Sequence, residues 1–168
     1  VKVLAEDGRG YYSDIAAGIE WVADRGYEVA SLSLGGTSSS YTLRDACQYA
    51  EDNDVLVVAA AGNDGPCSDC VLYPARYDSA VAVSATDSGD DLASFSSTGP
   101  EIELAAPGQY IYSTVPGGYE SWSGTSMACP HVSGASAQLM DNGYSSAEAR
   151  AELRDTAEDI GLASTDGG

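Results

Sequence analysis

Residues 55–60, Val55-Leu56-Val57-Val58-Ala59-Ala60, form an unbroken apolar run that is too short for a typical helix and offers no polar face to water. Such a run predicts a strand buried on both sides, and strands of that kind belong to parallel sheets covered by helices. The rest of the chain agrees. Strand-like runs at Val1–Ala5, Glu28–Leu34, Ala80–Ala85, Ile102–Ala105 and Ile111–Val115 are interspersed with helical patterns at Ser13–Asp24, Thr42–Asn53, Ser126–Met140 and Ser146–Glu158. The pattern predicts an α/β fold of three layers, a mostly parallel sheet with helices on both faces. Ser13 is a candidate cap for the first helix. A serine cap also opens the last one, where Ala149, Leu153 and Ala157 share a face at i, i+4 spacing. The 168 residues fit one domain, without an internal repeat or a linker.

Seven basic residues stand against 26 acidic ones, a net charge of −19, with the acids scattered along the chain. That surface repels nucleic acid and anionic membranes, which excludes both as partners. Lys2 is the one lysine beside six arginines. The scarcity predicts adaptation to high salt, where a Debye length of about 3 Å at 1 M removes most of the repulsion between exposed carboxylates. No apolar stretch approaches a membrane span, and residues 1–7 lack the zones of a signal peptide. Cys67-Ser68-Asp69-Cys70 lies in a polar loop with neither a second C-x-x-C pair nor a suitable histidine. A loop disulfide, pairing of one member with Cys47, free thiols and zinc all stay open. Cys47 and Cys129 fall in apolar helical stretches, where cysteine behaves as a small buried hydrophobe.

The chemistry concentrates in Gly124-Thr125-Ser126-Met127-Ala128-Cys129-Pro130-His131. A serine before a helix is ordinarily a cap, and as a nucleophile it needs a base to take its proton. His131 is the chain's one histidine. Five residues on, at about 3.6 residues per turn, it points about 140° around the helix from Ser126 and cannot reach it. An α/β-hydrolase elbow, Gly-x-Ser-x-Gly, is excluded because Ala128 holds its last position.

This run resembles the serine signature of the subtilisin-like serine proteases, the subtilases of peptidase family S8, and further blocks follow that family's order. They are Val1-Lys2-Val3-Leu4, Ile19-Glu20-Trp21, Ser33-Leu34-Gly35-Gly36, Ala59-Ala60-Ala61-Gly62-Asn63, Tyr73-Pro74-Ala75, Phe95-Ser96-Ser97-Thr98-Gly99-Pro100 and Ala106-Pro107-Gly108. With the acidic composition, the resemblance implies a halophilic, halolysin-type member with an incomplete subtilisin-like fold. Residues 1–168 would be a partial catalytic domain, preceded by the segment that bears the general-base histidine and its orienting aspartate and followed by a closing C-terminal segment.

By the same resemblance, Ser126 is the nucleophile of an endopeptidase, with its own N–H and the side chain of Asn63 forming the oxyanion hole. Ser33, Leu34, Gly35 and Gly36 would receive the substrate backbone, aided by Thr125. Ala60, Ala61 and Gly62 would wall a specificity pocket with Tyr73 near its base, roomy enough to prefer large uncharged side chains. His131 is implied to be structural. The chemistry would need no cofactor. A calcium or monovalent cation would have a structural place at the carbonyls of Ala75 and Tyr77 with Glu101 or Glu103. The parent is expected to be a secreted monomer acting on proteins or peptides, its signal and propeptide lying outside this sequence. The 168 residues alone are expected to be inactive. The other reading is a homologue that binds peptide or propeptide without cutting it.

Overall fold

The computed structural model describes residues 1–167. Among them, β1 (Val29–Leu32), β2 (Leu56–Ala60), β3 (Ala80–Thr86) and β4 (Ile102–Pro107) form one parallel sheet in the order β1-β2-β3-β4. Val57 pairs with Ala30 and Ala80, so β2 is hydrogen-bonded on both sides, as its apolar run predicts. Helices α1 (Tyr12–Asp24) and α2 (Tyr41–Asp52) cover one face, and α3 (Thr125–Asp141) and α4 (Ser146–Thr156) the other. Alternation along β2 sends Val57 towards α1 and α2, and Leu56, Val58 and Ala60 towards α3. Each fully buried valine contributes about 1.5–3 kcal/mol relative to exposure. The three-layer α/β expectation is therefore met.

Several local expectations need correction. Val1–Ala5 is not a strand: the segment turns back on itself through Ala5 N–H to Arg9 O at 2.8 Å, and Val3 packs on Gly18 of α1. A cavity of about 500 Å³ lies between this segment, α1 and β1, so its backbone has no ladder partner. Ser13 does not cap α1. The Asp14 and Ile15 amides already bond to Tyr11 O, which starts the helix earlier and puts Ser13 in its first turn. α4 is capped by Ser145, and Ala157 is the exposed C-cap of that helix rather than part of its apolar face. α3 runs continuously through Pro130.

β5 (Ile111–Val115) stands outside the parallel sheet and pairs antiparallel with β6 (Gly118–Trp122), which the sequence does not announce. All five β6 residues are exposed, so no alternation marks them. The turn uses Pro116 and Gly117, and Gly117 takes the positive φ of 93° that glycine tolerates.

The α4 start shows how these local devices respond to pH. Ser145 Oγ accepts the Glu148 N–H while the Glu148 carboxylate accepts the Ser145 N–H at 2.9 Å, a capping box. Those bonds from Ser145 hold the Glu148 carboxyl below its usual pKa. A lowered folded pKa means the stabilisation is complete above the ordinary glutamate range and is lost as pH falls through the lower folded value. Ser145→Ala should cost about 1 kcal/mol at neutral pH. Urea unfolding at neutral and acidic pH should show that cost shrinking as Glu148 protonates.

Candidate active site

Parallel strands put all their carboxyl ends on one side of the sheet, and open α/β sheets bind ligands there. The segment after β1 brings Ser33, the segment after β2 brings Asn63, and the hairpin returns the chain through Gly124 to Ser126 at the start of α3. Ser33, Asn63, Trp122, Gly124, Ser126 and Met127 line a shared cleft of about 660 Å³. The three segments therefore meet at one place.

Hydrogen bonds fix the carboxamide of Asn63. Its Oδ1 accepts the Thr125 N–H at 2.9 Å and the Thr125 hydroxyl at 3.1 Å. A backbone N–H can only donate, so the atom facing it is the oxygen and the NH₂ group is the end left to donate elsewhere. Thr125 is wholly buried, and its Oγ1 also accepts the Gly62 N–H at 3.1 Å. Ser126 Oγ lies 3.4 Å from the Ser33 carbonyl. At the α3 N-terminus the N–H groups of Gly124, Thr125 and Met127 are bonded, so it is the Ser126 N–H, with the positive end of the helix dipole, that stands beside any negative oxygen formed there. His131 is exposed, and its Nδ1 lies 2.8 Å from Met127 O, one turn back on its own helix. It is not a partner of Ser126.

The remaining residues expected at the site divide into available and committed groups. Gly36 exchanges both main-chain bonds with Tyr73, at 2.9 Å each, so an incoming peptide strand is left with Ser33, Leu34 and Gly35. Ala60 and Ala61 are buried, and Ala61 uses its N–H on Val83 O and its carbonyl on Leu72 N. Leu72 stands close to the glycines on either side of the expected pocket. A Cβ built on Gly62 would lie 2.7 Å from Leu72 Cγ, and one on Gly35 would lie 2.9 Å from Leu72 Cβ. Leu72 thus packs against both strand-end segments at once. Its contact with Gly35 and Gly62 is tertiary, and no local pattern in the sequence marks it.

Glu101 accepts from Arg76 Nε at 2.9 Å and keeps one buried oxygen without a partner. Glu103 accepts from Arg150 Nη2 at 2.6 Å, and the Tyr77 carbonyl accepts from Ala80 N–H at 2.9 Å. A hard cation wants about six or more oxygen ligands, and a guanidinium already sits on each carboxylate. These residues therefore do not fit the cation that the resemblance implied. No cluster of three or more His, Cys, Asp or Glu able to hold a metal occurs among the described residues.

Cys67 and Cys70 form a disulfide, which removes both from the zinc, free-thiol and Cys47-pairing alternatives. The bridged loop leans on the site. Cys70 N–H bonds to Thr98 O at 3.0 Å, and Ser97 N–H to Gly62 O at 2.9 Å. Cys47 and Cys129 are free and buried. Burial pushes the Cys47 thiol up to about 12 and raises that of Cys129, the latter partly offset by hydrogen bonds, the first from Ser31.

The subtilase family model, Peptidase_S8, matches residues 1–167. Subtilisin BL of Lederbergia lenta is 48% identical over 164 residues, which cover 96% of this chain and 60% of its own length. Subtilisin DY of Bacillus licheniformis is 46% identical over 166 residues, 96% of this chain and 61% of its own. The structure of sphericase superposes with a TM-score of 0.89 at 35% identity, covering 96% of this chain and 60% of that one. The chain thus spans about 60% of the length of the curated relatives it matches. These relatives are subtilisins, and they lend no support to the halolysin-type expectation, which rests on charge alone.

The sulfur chemistry gives a direct check on the core. A thiol reagent at mildly alkaline pH should find no fast-reacting group in the native oxidised chain and two after unfolding. Reduction should add two more. A fast-reacting thiol in the native chain would contradict the burial of Cys47 or Cys129.

Proposed function

Because this chain belongs to the subtilase family of serine peptidases, we propose that it supplies the nucleophile, oxyanion hole and substrate-strand platform of a serine endopeptidase. The general-base histidine and its orienting aspartate come, in this reading, from a segment preceding Val1. Ser126 Oγ attacks the peptide carbonyl as the base takes its proton. Negative charge then develops on the carbonyl oxygen, where the Asn63 NH₂ and the Ser126 N–H donate to it. The base returns the proton to the leaving amine, an acyl ester remains on Ser126, and water releases it by the same path in reverse. No cofactor enters these steps.

The observation that carries this reading is the locked carboxamide of Asn63, whose oxygen is held by Thr125 so that its NH₂ end is the one free to donate. A turn asparagine needs no such orientation, whereas an oxyanion donor does. For subtilisin itself, loss of the oxyanion asparagine lowers turnover roughly 10²–10³-fold, and loss of the histidine roughly 2 × 10⁶-fold.

Leu72 supports a narrower substrate choice than the small alanines suggest. With its side chain between Gly35 and Gly62, the pocket for the residue before the scissile bond suits small side chains. The Cys67–Cys70 disulfide supports an oxidising, extracellular destination. Among the described residues, no helix is long and apolar enough to cross a membrane. The −19 charge supports work in concentrated salt.

Fusing the flanking portions of subtilisin BL to residues 1–168 tests the proposal. The fusion should hydrolyse a chromogenic peptide, lose that activity in Ser126→Ala, and exceed the unextended chain by about 10⁶ in turnover. It should also be more stable at about 1 M salt than in dilute buffer. A folded fusion that binds the peptide without cleaving it would favour the binding role instead. In the active fusion, Leu72→Gly should raise kcat/KM for an aromatic residue before the cleaved bond, relative to alanine, by roughly 10–200-fold. An unchanged ratio would remove Leu72 from the pocket.

A further inference from the structure

Pro130 lies four residues after Ser126 on α3. At that spacing a helical residue donates its N–H to the earlier carbonyl, and proline has none to donate. The carbonyl deprived of its main-chain donor is therefore that of Ser126. A side chain from across the fold takes the vacant role: Ser33 Oγ donates to Ser126 O at 2.8 Å, from 93 residues away. In the opposite sense, Ser126 Oγ reaches Ser33 O at 3.4 Å, long enough to release easily. Two turns along α3 a second hydroxyl bridge repeats the connection, with Ser133 Oγ donating to Ser31 Oγ at 2.8 Å. Ser31 and Ser33 stand at i, i+2 and so share one side of the β1 segment.

We infer that the Ser33 hydroxyl is a positioning residue for Ser126, replacing the N–H that Pro130 lacks and tying the first turn of α3 to the end of β1. An ordinary residue at position 130 would satisfy the Ser126 carbonyl from within the helix and leave that turn without its bond to the sheet. Proline exports the demand to Ser33. The nucleophile's main chain is thereby held from two directions, by Asn63 through Thr125 and by Ser33 through the Ser126 carbonyl. The short bond sets the backbone, and the long one rests the hydroxyl on a carbonyl that surrenders it readily.

The positioning role rests on Ser126 being the nucleophile, but the bond itself does not, and the test addresses the bond on the 168-residue chain without any assay of cleavage. Amide hydrogen exchange at Met127, Ala128 and Cys129 should lose about fivefold in protection in Ser33→Ala, the fold-change of one ordinary hydrogen bond. Amides of β2 and β3 should keep theirs. The ¹³C resonance of the Ser126 carbonyl should move upfield as it loses its donor. Ser33→Thr, which keeps a hydroxyl, should restore both signals. In a Pro130→Ala background, where a main-chain N–H is available again, Ser33→Ala should be silent. Should Ser33→Ala fail to fold, the pair Ser33→Ala/Pro130→Ala should fold. Unchanged protection, a loss spread equally through β2 and β3, a loss that persists beside Pro130→Ala, or a pair that also fails to fold would each overturn the inference. An inactive fusion with the expected exchange pattern would instead refute the protease reading and leave the bond standing.

Discussion

Thr125 holds the site together because three bonds meet at a residue with no access to water: its N–H and hydroxyl both go to Asn63 Oδ1, and its Oγ1 takes the Gly62 N–H. Buried polar groups are costly unless satisfied, and here each satisfies another. The loop after β2 and the start of α3 therefore cannot move independently. Gly62 makes the meeting feasible, since its φ of +117° and its contact with Leu72 leave no room for a side chain. The orientation of Asn63, the place of Ser126 and the width of the cleft all follow from this junction.

Two arginines do comparable work for the outer sheet in a chain dominated by acids. Arg150, on α4, bonds to Glu103 on β4 and to the carbonyls of Asp78 and Ala80 at the start of β3. Glu103 is largely enclosed, so its partner offsets a desolvation that a lone carboxylate would not survive cheaply. Arg76 joins Glu101 to Asp69 in the disulfide loop. Hydrogen bonding to Glu103 raises the pKa of Arg150; at Arg76 burial pulls the pKa down, but the charges of Glu101 and Asp69 outweigh it and the net shift is upward. With so few cations, those two sit where elements must be joined, and the surplus carboxylates are left to the surface.

The architecture was legible wherever burial imposes a period. Val55–Ala60 announced a central strand because both its faces are covered, and the long small-residue run of α3 announced a buried helix. Ser126 and Asn63 stood out through their surrounding blocks, and the fold brings them to one cleft. What escaped had no local cause to leave a pattern. β6 is exposed at every residue, so its sequence is free of alternation. Val1–Ala5 has strand-like composition, yet a strand exists only with a hydrogen-bonded neighbour, and β1 stands across a cavity from it. Leu72 and the Ser33 hydroxyl act through partners tens of residues away. The carboxylates expected to hold a cation were read without Arg76 and Arg150, whose arrival only the folded chain reveals.

The β5–β6 ribbon leads straight into α3, yet it is clamped where it begins and ends. Tyr110 N–H bonds to Ser123 Oγ at 2.9 Å, Gly124 N–H to Gly108 O at 2.8 Å, and Gly108 N–H to Thr86 O at 2.9 Å at the end of β3. The base of the ribbon is thus fastened to the sheet rather than to the ribbon's own tip. Gly108 and Gly124 thereby hold the root of the exposed aromatic arm of Tyr112, Tyr119 and Trp122 in place against the sheet. Change at the tip around Gly117 and Gly118, outside the residues that line the hollows beside Ser126, can be made without retuning the chemistry at the root, whereas Tyr112 and Trp122 face it.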